Sequence, residues 1–182
     1  MKKEERKILG ITLRYVILLL IVLPGFILFY FVFSPLTIYS VYGLLELIYH
    51  VNIYQNMLSV GNHTIEIINA CIAGAAYYFL LVLNMSIPNV KAKKRIYMIL
   101  VSFGIFLIIN ILRIFILSIM YISDSTFFDV THKIFWYLGS TVLVVLIWIL
   151  VVRWFKIKEI PIYSDFRFLY KKSLLKIKRK KN

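Results

Sequence analysis

Four stretches of this chain are apolar for long enough to cross a hydrocarbon layer. That constrains the fold more than any other feature, because roughly 20 apolar residues in a helix are what a bilayer core requires. They run from Tyr15 to Phe33, from Cys71 to Ile87 with the residues just before it, from Ile96 to Tyr121, and from Ile134 to Val152. With 62% hydrophobic residues and a mean hydropathy of +0.86, the chain reads as an integral membrane protein rather than a water-soluble domain.

A net charge of +14 often signals nucleic acid, yet the basic residues here lie in blocks between the apolar stretches rather than along one face. Lys2, Lys3, Arg6, Lys7 and Arg14 precede the first stretch, Lys91, Lys93, Lys94 and Arg95 join the second to the third, and eleven more follow from Arg153 onward. These account for 20 of the 22 basic residues, while residues 34–70 have none and residues 122–133 have one. The bias predicts four spans with both termini and the 88–95 loop in the cytoplasm. The tail "KKSLLKIKRKK" reads as a topology determinant held by anionic headgroups, with no nucleic acid as partner.

The expected fold is all-α: about four transmembrane helices in one membrane-embedded domain over residues 1–155, followed by a basic cytoplasmic tail over 156–182. The apolar but irregular stretch 36–53, with Glu46, His50 and several tyrosines, predicts an interfacial or re-entrant helix on the outer face, since a fifth span would put the Lys91–Arg95 cluster outside. "NMLSVGNHTIEII" predicts a short β-hairpin about Gly61 and Asn62. Asn62-His63-Thr64 also matches the glycosylation acceptor pattern. The basic start and first apolar run resemble a signal peptide, but Pro35 directly follows Val32-Phe33-Ser34 and the run is long, so a retained anchor is expected.

Within this frame the rare polar residues acquire a depth. Cys71, the only cysteine, heads the second helix at its outer end; Arg113 is the only charge inside a span and falls in its outer third; His132 stands just before the fourth. Each has an ordinary reading: a small buried hydrophobe, an arginine snorkelling to headgroups, an interfacial ring. Together they suit thiol chemistry. A cation in a low-dielectric setting favours a thiolate, arginine cannot lose its proton, and a histidine can protonate a leaving amine and deprotonate an incoming nucleophile. Asp129 is placed to hold the His132 ring, and Asn69 and Asn110 to donate to an oxyanion or to tie helices together. Ala70, Ala73, Gly74, Ala75 and Ala76 leave room for a close approach, whether by a neighbouring helix or by a substrate.

The fragments "NACIAG", "NILRI" and "THKIFWYLG" resemble, in order and depth, the signature of the exosortase and archaeosortase membrane transpeptidases over about residues 55–155, and the short chain and its Ile, Lys and Asn usage suit an archaeal member or a small bacterial one. The chain departs from the pattern in its length and in Ile72, where the family usually has serine or threonine. The resemblance implies that Cys71 attacks a scissile carbonyl near the outer surface, with Arg113 and His132 as catalytic partners. The substrates it implies are exported proteins whose C-terminal end carries a short motif, an apolar helix and a basic end, and a membrane lipid is the implied acceptor. No cofactor is implied. A metal site from His50, His63, His132 and Cys71 lacks ligand spacing. The alternative from another class is a non-catalytic assembly or transport subunit in which Arg113 pairs with a partner's acid.

Overall fold

The structure is a computed structural model that describes residues 12–13, 15–20, 26–88, 90–136 and 140–157. The basic residues before position 12 and the tail from residue 158, on which much of the charge argument rests, lie outside the described residues.

Helix α1 spans Ile27–Glu46 and opens at Phe26, whose φ of 66° interrupts any continuous run from Tyr15 to Phe33. It continues through Pro35, past the end of the first expected span at Phe33. Proline withholds one amide from the helical ladder, but the turns on either side persist because an apolar segment offers its backbone no better partner than the helix itself. The interfacial helix expected at 36–53 is therefore corrected: its first part completes α1. The remainder turns back, with the Glu46 carboxylate accepting a hydrogen bond from the Val51 amide at 2.9 Å. Phe29, Phe33, Thr37, Val41 and Leu45 form the buried face at four-residue steps.

Three short strands follow as an antiparallel meander: β1 Asn52–Tyr54, β2 Met57–Val60 and β3 His63–Glu66, in the order β1-β2-β3. The hairpin expected about Gly61 and Asn62 is the β2–β3 pair, with Val60 opposite His63, and β1 adds a strand that the sequence reading did not include. Gly61 takes φ 55° at the turn, a conformation that costs glycine little. Asn62 lies beside it, exposed. The Asn56 side chain donates to Glu66 Oε1 at 3.1 Å, fastening the sheet across its far strand.

The second apolar stretch is two helices, α2 Asn69–Ile72 and α3 Gly74–Met85, separated by Ala73 at φ 58°, ψ 48°. Ala73 closes α2 by donating to the Asn69 carbonyl at 3.1 Å. A left-handed residue with a Cβ is disfavoured by about 1–2 kcal/mol. Ala73→Gly is therefore expected to raise unfolding stability in detergent by about 0.5–1 kcal/mol and Ala73→Val to lower it by more than about 1 kcal/mol, as read from thermal melts. A Cβ on the next residue, Gly74, would lie 2.8 Å from Tyr30 Cε1 and 2.9 Å from its Cζ. Gly74→Ala should cost about 1–3 kcal/mol in the same melts, and less when Tyr30 is also trimmed to alanine, since the two changes share one contact.

Helix α4, Ala92–Ile122, is the longest element, at about 46 Å for its 31 residues. It buries a stripe of Met98, Ser102, Phe106, Asn110, Ile114 and Ser118. A short helix α5, Phe128–Ile134, carries His132 ahead of α6, Ser140–Trp154, in keeping with its expected place before the last apolar helix. Helices α1, α3, α4 and α6 pack around a common core. At its centre Tyr77 stacks on Phe33 at 3.7 Å and meets Phe106 edge-on at 4.8 Å. Burial of these aromatic faces supplies much of the adhesion between α1, α3 and α4.

Two of these helices, α1 and α4, are long and apolar enough to cross a membrane; Asn69–Met85 and Thr141–Trp154 are shorter apolar helices. Only 22% of the most apolar window of α1 and of α4 is buried within the protein. Phe31 on α1 is 79% exposed and Ile108 on α4 is 61% exposed. Apolar surface of this extent suits hydrocarbon better than water.

Candidate active site

The break at Ala73 sets the position of the cysteine. Because α2 ends there, Cys71 occupies a single helical turn between β3 and α3, where its thiol is free and half-buried. The turn is tied to α4 from below: Asn110 Nδ2 donates to the Cys71 carbonyl at 2.9 Å. Asn110 is buried, so this bond satisfies an amide that would otherwise be costly in an apolar helix. It also fixes the backbone of Cys71 one helical turn from Arg113.

A cavity of about 310 Å³ opens beside the cysteine. Its wall includes Cys71, Arg113 of α4 and His132 of α5, so three residues far apart in the chain share one space. The Arg113 guanidinium is within electrostatic reach of the Cys71 sulfur. The His132 ring stacks on Phe128, with centroids 5.6 Å apart and planes 13° from parallel, and meets Trp136 edge-on at 6.1 Å. These neighbours at four-residue spacing orient the imidazole on the cavity rim.

Two expected supporting residues stand elsewhere. Asp129 is exposed on the first turn of α5, and among the described residues no hydrogen bond or ion pair joins it to His132. Its carboxylate faces solvent although the i, i+3 spacing would allow it to reach the ring, and aromatic packing does the positioning assigned to it. Asn69 is also exposed, at the start of α2, and does not line the cavity. Of the two asparagines only Asn110 meets the cysteine, through its carbonyl rather than its sulfur.

The cavity wall adds residues that the sequence reading did not select, notably Glu66 from β3 and Ser118 and Tyr121 from α4. A signal for Ser118 was present: Ser102, Asn110 and Ser118 recur every eight residues on the buried face of an otherwise apolar helix. Glu66 carried no comparable mark, since its placement depends on strand register. At the C-terminal end of α4, His63 faces Tyr121 edge-on at 5.5 Å and lies 4.0 Å from the exposed Asp124. His50 is exposed and is not part of the cavity wall. Among the described residues no group of three or more His, Cys, Asp or Glu is arranged to hold a metal ion.

A thiol, a permanent cation and a titratable ring on one partly enclosed wall form a set suited to acyl transfer: a nucleophile, a group that stabilises negative charge, and a proton carrier. No family model, no curated protein and no solved structure matches the chain.

Proposed function

We propose that this chain is a cysteine-dependent membrane transpeptidase of the exosortase and archaeosortase type, with four membrane spans, both termini in the cytoplasm and its active site facing outward. The observation that carries the reading is the shared cavity of Cys71, Arg113 and His132. Its substrates are exported proteins held at the membrane by a C-terminal apolar helix with a basic end.

In the first step the Cys71 thiolate attacks the scissile carbonyl carbon, and the negative charge that develops on the oxygen is stabilised by Arg113. The carbon–nitrogen bond then breaks, the amine leaves with a proton from protonated His132, and the substrate remains on Cys71 as a thioester. In the second step neutral His132 takes the proton of a lipid hydroxyl or amine, the acceptor attacks the thioester carbon, and the sulfur departs as thiolate. Charge and protons return to their starting places, and the product carries a lipid where its C-terminal tail had been.

Intact-mass measurement of the protein purified from its own cells tests this directly. An acyl adduct on Cys71 that hydroxylamine removes, and that Cys71→Ala lacks, is the expected result. Lipidated cell-surface proteins formed equally well by the Cys71→Ala protein would rule the reading out.

A further inference from the structure

The cavity is bordered by five consecutive residues, Thr64 through Ile68. A strand seen face-on contributes alternate residues to a surface, so an unbroken run means that the edge of β3 forms the wall. Among the described residues no further strand pairs with this edge: β3 pairs with β2 on its other side and is last in the sheet order.

The register states which backbone groups face the cavity. Val60 and His63 flank the two-residue turn and exchange hydrogen bonds as its closing pair, so His63 and Ile65 point toward β2, and Thr64 and Glu66 point away. The Ile67 amide donates to Asn56 O at 2.9 Å on the β2 side, which agrees with this alternation. By this register the N–H and C=O groups of Thr64 and Glu66 lie outside the β2–β3 ladder. They present two donor–acceptor pairs about 7 Å apart along the edge.

We infer that the segment of the substrate preceding its scissile bond binds as an added strand on the β3 edge, pairing with the main chain of Thr64 and Glu66 and so delivering its carbonyl to Cys71. The inference rests on the transpeptidase reading, since that reading makes an extended polypeptide the occupant. The geometry suits such an occupant in two ways. His63 contacts Tyr121, while Cys71 is bonded to Asn110, so β3 and the turn after it descend along α4 by roughly 16 Å. A protein tethered by a C-terminal membrane helix descends in the same sense, which makes the added strand parallel to β3. Main-chain pairing also tolerates varied side chains, leaving sequence choice to the cavity beyond.

The test uses acetyl-tetraalanine chloromethyl ketone on the full chain in detergent, with chloroacetone as the same electrophile lacking a peptide. In each case the Cys71 sulfur displaces chloride from the methylene carbon: a C–S bond forms, the C–Cl bond breaks, and the thiol proton passes to solvent. The peptide reagent is expected to label Cys71 at least about tenfold faster than chloroacetone. N-methylation at alternate amides should slow labelling about fivefold for one parity and leave it unchanged for the other, because one backbone hydrogen bond is worth roughly 1 kcal/mol.

In the protein, Thr64→Pro and Glu66→Pro remove outward amides without touching the β2–β3 ladder and should erase the preference for the peptide reagent, whereas Thr64→Ala and Glu66→Ala keep it. Equal effects of N-methylation at both parities, loss of the preference in the alanine variants, or no preference in the unaltered protein would overturn the proposal. Because these rates require only a reachable thiol, failure of the enzyme reading shows separately, as processing that survives Cys71→Ala.

Discussion

If the chain is the transpeptidase proposed, replacing Cys71 with alanine is expected to abolish removal of the C-terminal tail from its substrates, by more than about a thousandfold, because Cys71 is the only thiol in the sequence. Serine should fail as well. Its hydroxyl is not ionised near neutrality, and in the first step His132 already carries the proton that it gives to the leaving amine, so no base is left to activate a serine. Peptide mass spectrometry of envelope proteins, searching for retained apolar C-termini, checks this in cells carrying either variant. The fold should survive both changes, since Cys71 is half-buried and its backbone tether to Asn110 uses the carbonyl rather than the side chain. A chain that served only as an assembly or transport subunit would tolerate the loss of the thiol.

The second large effect is expected at Arg113. Arg113→Gln removes a fixed positive charge beside the nucleophile, and loss of one such stabilising group typically costs about 10²–10³ in turnover. Arg113→Lys keeps the charge but loses the planar fork, so it should recover part of the rate, by about tenfold over glutamine. Tail removal in membranes, with protein amount normalised by immunoblot, separates the three forms. An arginine that merely reaches for headgroups along its stem would give lysine and glutamine variants that differ in amount and not in rate per molecule.

These three residues could be picked out from sequence because each is a polar exception next to an apolar segment, and such exceptions are expensive unless they are used. The helical character and the β2–β3 hairpin were legible for a similar reason, since long apolar runs and alternation about a Gly-Asn pair leave few options. Other features were hidden by context. The first expected span ended before Pro35 but α1 runs through it, because a helix flanked on both sides by apolar turns outlasts one missing hydrogen bond. Ala73 carries no sign of its left-handed backbone, and the glycine beside it diverts attention to the wrong position. Helix spacing suggested Asp129 as the partner of His132, but the rings of Phe128 and Trp136 hold it instead. Glu66 reached the cavity through strand pairing, which no local pattern announces.

As an outward-facing nucleophile activated by Arg113, the role proposed for it, Cys71 is tested most directly by the rate at which a membrane-impermeant thiol reagent modifies it in intact cells at fixed neutral pH, in the unaltered protein and in Arg113→Gln, with a detergent-denatured control. Modification without permeabilisation is expected, with a rate about tenfold or more lower in Arg113→Gln and the two proteins equal once denatured. A thiol that reacts only after denaturation, only from the cytoplasmic side, or at the same rate without Arg113 would contradict that role.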